Sequence, residues 1–80
     1  MQNYLLYVKT GCPYCLRVLD YAKENSITFE FRNRDDDGVL DELVARGGKS
    51  QYPYLVDREN NIEMYESADI ISYLQKEHAK

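Results

Sequence analysis

Cys12 and Cys15 are the side chains best equipped for chemistry in this chain, and their spacing decides what that chemistry is. They flank Pro13-Tyr14 and follow an apolar run, Tyr4-Leu5-Leu6-Tyr7-Val8, where a helix-like pattern begins. A helix N-terminus carries backbone N–H groups without partners and a partial positive charge, so it favours a thiolate over a thiol. The thiolate is the nucleophile of disulfide exchange, and a second thiol one helical turn on can complete the exchange. Pro13 suits the first helical position, where its missing N–H costs nothing. Two other uses of the pair fit less well. A structural zinc ion needs about four ligands. The chain offers two cysteines and His78, so a carboxylate or a second chain would have to complete the set. A purely structural disulfide across so short a loop contributes only about 2 kcal/mol in the chain-entropy model.

The elements that position these thiols follow from apolar periodicity. Tyr4 to Val8 is uninterrupted, as expected of a strand covered on both faces. Pro13 to about Asn25 reads as a helix with Cys15, Val18, Leu19 and Ala22 on one face. Cys15 thus begins the buried stripe and Cys12 sits at the tip, which predicts an exposed attacking thiol and a sheltered second one. Ile27, Phe29 and Phe31 alternate with polar residues, as in a half-buried strand at a sheet edge. A second helix follows Asp35-Asp36-Asp37, carries Leu40, Leu43 and Val44, and ends at Gly47-Gly48. Tyr52 to Val56 and Ile62 to Met64 form a hairpin around residues 57–61. The last helix carries Ile70, Ile71 and Leu74 on one face, with Ser67 as its N-cap. The order βαβαββα, with C-x-x-C after the first strand, reads as an α/β domain similar to thioredoxin. Its first crossover should be right-handed, making strands one and two parallel.

Size and composition narrow the setting. Eighty residues make a single domain, residues 1–80, and a chain this short buries about 60–65% of its extended surface. The 44% hydrophobic content supports a core, and the net charge of −4 argues against nucleic acid as a partner. No apolar stretch approaches the roughly 20 residues of a membrane span. The first apolar run begins at Tyr4 with no basic segment before it, so no signal peptide is expected. Two cysteines without an export signal point to the reducing cytoplasm. A monomer is expected.

Val8-Lys9-Thr10-Gly11-Cys12-Pro13-Tyr14-Cys15 resembles the active-site segment of dithiol glutaredoxins. Pro53 at a strand start and Glu66-Ser67 at the last helix also fit that family. Glu66-Ser67-Ala68-Asp69-Ile70-Ile71-Ser72-Tyr73-Leu74 is closer to the glutathione-binding segment of glutathione transferases and of the transferase-like bacterial glutaredoxins. The resemblance implies a four-stranded mixed sheet with helices on both faces. It also implies a cis Tyr52–Pro53 bond facing the thiols, whose backbone N–H and C=O at Tyr52 pair with a bound peptide like an added strand. The family usually has a small β-branched residue before this proline, and Tyr52 departs from that. Met64-Tyr65 likewise stands where most glutaredoxins have Gly-Gly.

The resemblance assigns roles to residues that alone have plainer readings. Lys9 is either a solvated charge or a cation that stabilises the Cys12 thiolate and pairs with a substrate carboxylate. Tyr14 is surface filler or a wall of the site. Glu66 and Ser67 are a helix cap, or they bind the ammonium and carboxylate of the γ-glutamyl end of glutathione. Lys49 and Gln51 are placed to reach its glycine carboxylate. The other tyrosines, Tyr4, Tyr7, Tyr21, Tyr54 and Tyr73, read as core or half-buried packing. Residues 33–44 imitate a calcium loop but put Val44 where its bidentate Glu belongs, and Gly47-Gly48-Lys49-Ser50 lacks the earlier glycine of a phosphate loop.

The expected activity is therefore glutathione-dependent thiol–disulfide exchange, with Cys12 attacking and Cys15 resolving. Glutathione is the co-substrate; no bound metal or organic cofactor is required. Disulfide-bearing or glutathionylated proteins are the clients. Two alternatives stay open. One is a thioredoxin-like electron donor, for example to ribonucleotide reductase, reduced by a flavoprotein reductase. The other is a glutathione-ligated iron–sulfur carrier using one thiolate from each of two chains. A full transferase is not expected, because the chain ends where that family's helical domain would begin.

Overall fold

The computed structural model describes residues 4–78. The elements run β1 (Tyr4–Val8), α1 (Pro13–Glu24), β2 (Glu30–Asn33), α2 (Val39–Gly47), β3 (Tyr54–Asp57), β4 (Ile62–Tyr65) and α3 (Ser67–Glu77), the expected order. They form one four-stranded sheet in the order β2-β1-β3-β4. β1 is parallel to β2 and antiparallel to β3, and β3 is antiparallel to β4. The fold is α/β and thioredoxin-like, with the sheet between two helical layers.

β1 is apolar throughout because both of its faces are covered. Leu5 and Tyr7 point to one side, where with Tyr54 and Val56 of β3 they pack on Val39 and Leu43 of α2. Leu6 points to the other, where with Leu55 it packs on Val18 and Ala22 of α1 and on Ile70 and Leu74 of α3. The strand period of two thus sorts one continuous hydrophobic run into two cores. Each fully buried aliphatic side chain there contributes roughly 1.5–3 kcal/mol.

Three element starts differ from the sequence expectation, each for a local reason. β2 begins at Glu30, not Ile27, because the Ile27 N–H bonds the Ala22 carbonyl (2.9 Å) and closes the end of α1. Ile27 and Phe29 are buried, but Phe31, on the outermost strand, stays 52% exposed against the Phe29 ring. α2 buries Val39 and Leu43 and leaves Val44 exposed, since its first residue is Val39, after Gly38 at φ 79°. The acids of its first turn are therefore Asp41 and Glu42, not Asp35 to Asp37. β3 begins at Tyr54, because its ladder with β1 opens at the Tyr7–Tyr54 pair, beyond Pro53, which has no N–H to donate.

Gly47 lies in close approach. A Cβ there would stand 2.2 Å from the Tyr65 hydroxyl, so any larger residue would displace the tip of that ring and its bonds to Lys49. At the β3–β4 turn, buried Asp57 accepts from the Asn60 side chain (2.9 Å), from the Glu59 N–H (3.1 Å) and from the Tyr73 hydroxyl (2.5 Å). That last bond ties the hairpin to α3. His78, expected to be solvated, is exposed but bonds the Tyr4 hydroxyl through Nε2 at 2.9 Å. No helix among the described residues is long and apolar enough to cross a membrane.

Candidate functional site

The thiol loop is shaped by three consecutive residues. Gly11 takes φ 76°, a backbone region glycine enters freely. Cys12 follows as the N-cap of α1 in extended conformation, and Pro13 opens the helix. The Cys12 sulfur then does what a capping oxygen does elsewhere: it accepts the Cys15 N–H at 3.1 Å. The sulfur therefore sits at the otherwise unpartnered N–H groups of the helix start. Cys15 lies on the inner face of α1, and both cysteines are free. Burial, with Cys12 beside it, pushes the Cys15 thiol up to about 12, while the Lys9 backbone and charge pull the other way.

The expected exposure of Cys12 is corrected by the structure: Cys12 is only 3% exposed, as buried as Cys15. Its sulfur is turned inward to the Cys15 N–H, and it packs in one cluster with Tyr52.

A cleft of about 510 Å³ lies beside the thiols, walled by Lys9, Tyr14, Gln51, Tyr52, Glu66 and Ser67, all six foreseen from the sequence. Arg17, Ser50 and Ala68 complete it and were not foreseen. Arg17 had a readable signal: it stands one helical turn after Tyr14, and its guanidinium lies 5.9 Å from that ring's centroid. Pro53 is fully buried after a cis Tyr52–Pro53 bond, as expected, and is outside the cleft wall. The Lys9 ammonium stands over the Tyr52 ring, 6.0 Å from its centroid.

The opposite wall is the start of α3. Ser67 is the first helical residue, not the cap; Glu66 holds the cap position at φ 72° and makes no capping bond with its side chain. Its carboxylate is engaged elsewhere, accepting from the Gln51 amide at 2.5 Å. The Ile70 N–H bonds the Glu66 carbonyl (2.9 Å), so Ser67 stands at the helix N-terminus, itself buried. Such an end accepts an anion, and Glu66 beside it can meet a cation once Gln51 yields. Lys49, expected near a ligand carboxylate, is turned away: its N–H and C=O both bond the Tyr65 hydroxyl, and its ammonium stands over the Tyr65 ring. Asp69 also lies outside, on the α3 surface with Ser72 and Lys76. Among the described residues no three His, Cys, Asp or Glu side chains converge as a metal site.

The geometry can be set beside known proteins. No curated protein matches the chain. Among solved structures, the glutathione transferase URE2P6 from Phanerochaete chrysosporium, in complex with oxidised glutathione, superposes with a TM-score of 0.83 at 26% identity. The match covers 99% of this chain and 38% of that one. A glutathione S-transferase from the Antarctic clam Laternula elliptica gives 0.81 at 21% identity, over 99% of this chain and 36% of that one. The glutaredoxin grx-1 from Archaeoglobus fulgidus gives 0.73 at 20% identity, over 94% of this chain and 88% of that one. The chain thus spans little more than a third of the length of these transferases and matches most of the glutaredoxin. Residues 6–80 match the family described as glutathione S-transferase, N-terminal domain, and the chain belongs to that family.

Proposed function

We propose that this protein is a glutathione-dependent thiol–disulfide oxidoreductase of the glutaredoxin kind, acting on protein disulfides and glutathione mixed disulfides. The observation that carries the reading is the Cys12 sulfur at the start of α1, capped by the Cys15 N–H, with a two-signed cleft at its side. In the first step the Cys12 thiolate attacks a disulfide sulfur. A Cys12–S bond forms and the partner leaves as a thiolate. With a protein disulfide, Cys15 loses its proton and displaces the client, closing the Cys12–Cys15 bond. Two glutathione molecules then reduce that bond, leaving oxidised glutathione and two thiols. With a glutathione mixed disulfide, Cys12 alone suffices.

The cleft divides a glutathione molecule among its walls. The N–H and hydroxyl of Ser67 take the γ-glutamyl carboxylate, and Glu66 takes the ammonium in exchange for the Gln51 amide. The Tyr52 backbone pairs with the cysteinyl segment, and Lys9 takes the glycine carboxylate. Tyr14 and Arg17 close the side. The solved URE2P6 complex, a structural neighbour that holds oxidised glutathione, supports this choice of ligand. The site works in a reducing compartment, the cytoplasm, and needs no resident cofactor.

The family match favours a second reading, in which the cleft holds glutathione for transfer to an electrophile. Three assays separate the possibilities: glutathione-coupled reduction of a small mixed disulfide, the same reduction coupled to thioredoxin reductase, and conjugation of glutathione to 1-chloro-2,4-dinitrobenzene. The proposal expects the first to dominate. Dominance of the second would make the protein a thioredoxin-like donor, and of the third a transferase.

A further inference from the structure

The cleft and the buried thiol cluster are separate spaces, and among the described residues Tyr52 alone belongs to both. It packs with Cys12 and Cys15 in the interior, and it also walls the cleft. The ring is therefore the partition between the two. It is 8% exposed, and it shares the interior cluster with a thiol, 3% exposed, that a helix tip would otherwise present to solvent.

The partition is not fastened by a hydrogen bond. The Tyr52 hydroxyl is the buried side-chain polar atom without a partner among the described residues. Tyr7 and Tyr54, in the same cluster, bond Glu42 and Glu63. Packing and the Lys9 ammonium over its face hold the Tyr52 ring. Moving it breaks no hydrogen bond but gives up the burial of an aromatic side chain, which is a graded cost: little for a thin partner, more for a thick one.

We propose that Tyr52 is the specificity-determining residue of the thiol site. Its ring bars the way from the cleft to Cys12 and admits slender, linear disulfides in preference to those flanked by bulk. The favoured substrates are low-molecular-weight disulfides with unbranched methylene arms on sulfur, of which the glutathionyl group is one. Folded-protein disulfides require the ring to swing out. The inference rests on Cys12 being the reacting thiol.

The test uses two reagents with one chemistry, iodoacetamide and N-(1-pyrenyl)iodoacetamide. In each, the Cys12 thiolate forms an S–C bond and iodide leaves with the electron pair. The quantity read is the ratio of the two rates at Cys12, followed by peptide mapping at pH 7. Tyr52→Val should raise the pyrenyl rate about tenfold relative to the iodoacetamide rate, the scale on which pocket size discriminates between apolar groups. Tyr52→Leu should fall between, and Tyr52→Phe, which keeps the ring and loses only the hydroxyl, should keep the wild-type ratio. An unchanged ratio in both Val and Leu variants overturns the proposal. So does a Phe variant that behaves like Val, since the hydroxyl rather than the ring would then be the barrier. If Tyr52→Val unfolds the chain, Cys15 labels as readily as Cys12, and the Leu variant decides by the same ratio. Alkylation needs no glutathione, so a chain that fails the glutathione-coupled assay still reports on the ring.

Discussion

The two faces of the sheet are made of different material. On the α1–α3 face the buried cluster is Leu6, Val18, Ala22, Ile27, Phe29, Leu55, Ile70 and Leu74, with no sulfur or oxygen in any side chain. On the α2 face, Tyr7, Cys12, Cys15, Tyr52 and Tyr54 bring a sulfur or a hydroxyl into the interior beside Leu5, Val39, Leu43 and Val56. An unmade hydrogen bond is costly in the interior, so the second face must place each heteroatom. It does so away from the thiols: the Tyr7 hydroxyl bonds Glu42, which Arg32 also grips at 2.5 Å, and the Tyr54 hydroxyl bonds Glu63. Next to the thiols it leaves one hydroxyl open. The first face holds the shape, and the second holds the chemistry within that shape.

If that division is right, the two faces fail differently. The largest effect belongs to the thiols. Cys12→Ser should abolish turnover on every substrate while leaving the urea midpoint near wild type. Cys15→Ser should keep activity on a glutathionylated peptide, which needs one thiol, and lose most activity on a protein disulfide. Equal losses in both variants with the glutathionylated peptide would erase the assigned order of attack.

The next effect belongs to the other face. Leu55→Ala removes a fully buried side chain and should lower unfolding free energy by about 2–5 kcal/mol in urea titrations. Below its melting temperature the variant should alkylate at Cys12 at the wild-type rate. A parallel slowing would mean that the two cores are coupled through β1 and β3, and that the comparison of faces is wrong.

The sequence discloses these two faces unevenly. The apolar face is legible because its signals are periodic: β1 is a continuous run, and Val18, Ala22, Ile70 and Leu74 recur at helical spacing. The thiol pair and the Glu66-Ser67 helix start are legible because each is a local combination with a chemical meaning; the cis proline follows only from the family resemblance. The misreadings share one cause, which is that burial depends on what packs from elsewhere in the chain. Phe31 looks inward by alternation but stands on an outer strand. Val44 looks inward by composition, but the α2 stripe is set by where Gly38 lets the helix begin. Ser67 resembles a cap, yet Glu66 occupies that position, with its carboxylate bonded not to the helix but to Gln51, fifteen residues earlier. Cys12 is exposed by helix logic, yet it is buried in one cluster with Tyr52 from the proline loop. No window along the chain contains both partners of such pairs.

A smaller effect sharpens the chemical face into subsites. Glu66→Ala should raise the glutathione concentration needed for half-maximal turnover about three- to tenfold, the range between an exposed and a partly desolvated charged contact. Turnover with dithiothreitol, which has no γ-glutamyl group, should not change. An equal loss with both reductants would mark Glu66 as structural. No loss with either would leave Glu66 and Ser67 as a helix start alone.

The smallest effect is read from pH, through two buried groups whose titrations the fold has moved in opposite senses. Asp57 projects toward α3. Burial works to raise its carboxyl, but the bonds from Tyr73, Asn60 and Glu59 outweigh that and hold it below the usual carboxylate range. A depressed carboxyl binds fewer protons folded than unfolded, so its contribution is present above its ordinary value, about 4, and is lost as pH falls through the folded one. Asp57→Asn should cost about 1 kcal/mol at pH 7, and the gap to wild type should close as the pH drops toward 2. Cys15 is the converse case. Its thiol, pushed up to about 12, binds more protons folded than unfolded above its ordinary value, near 8.5, so its contribution is present below that value and fades as pH rises through the folded one. In the reduced protein the melting temperature should therefore fall as pH rises above about 9, a limb to which the raised hydroxyls of Tyr7, Tyr52 and Tyr54 also contribute, and Cys15→Ser should remove part of that fall. Cys15→Ser should leave the acid limb unchanged, whereas Asp57→Asn should also touch the alkaline limb, because, beside burial, Asp57 raises the Tyr73 and Tyr4 hydroxyls on its own face. A change in the acid limb on substituting Cys15 would show that the faces share their electrostatics.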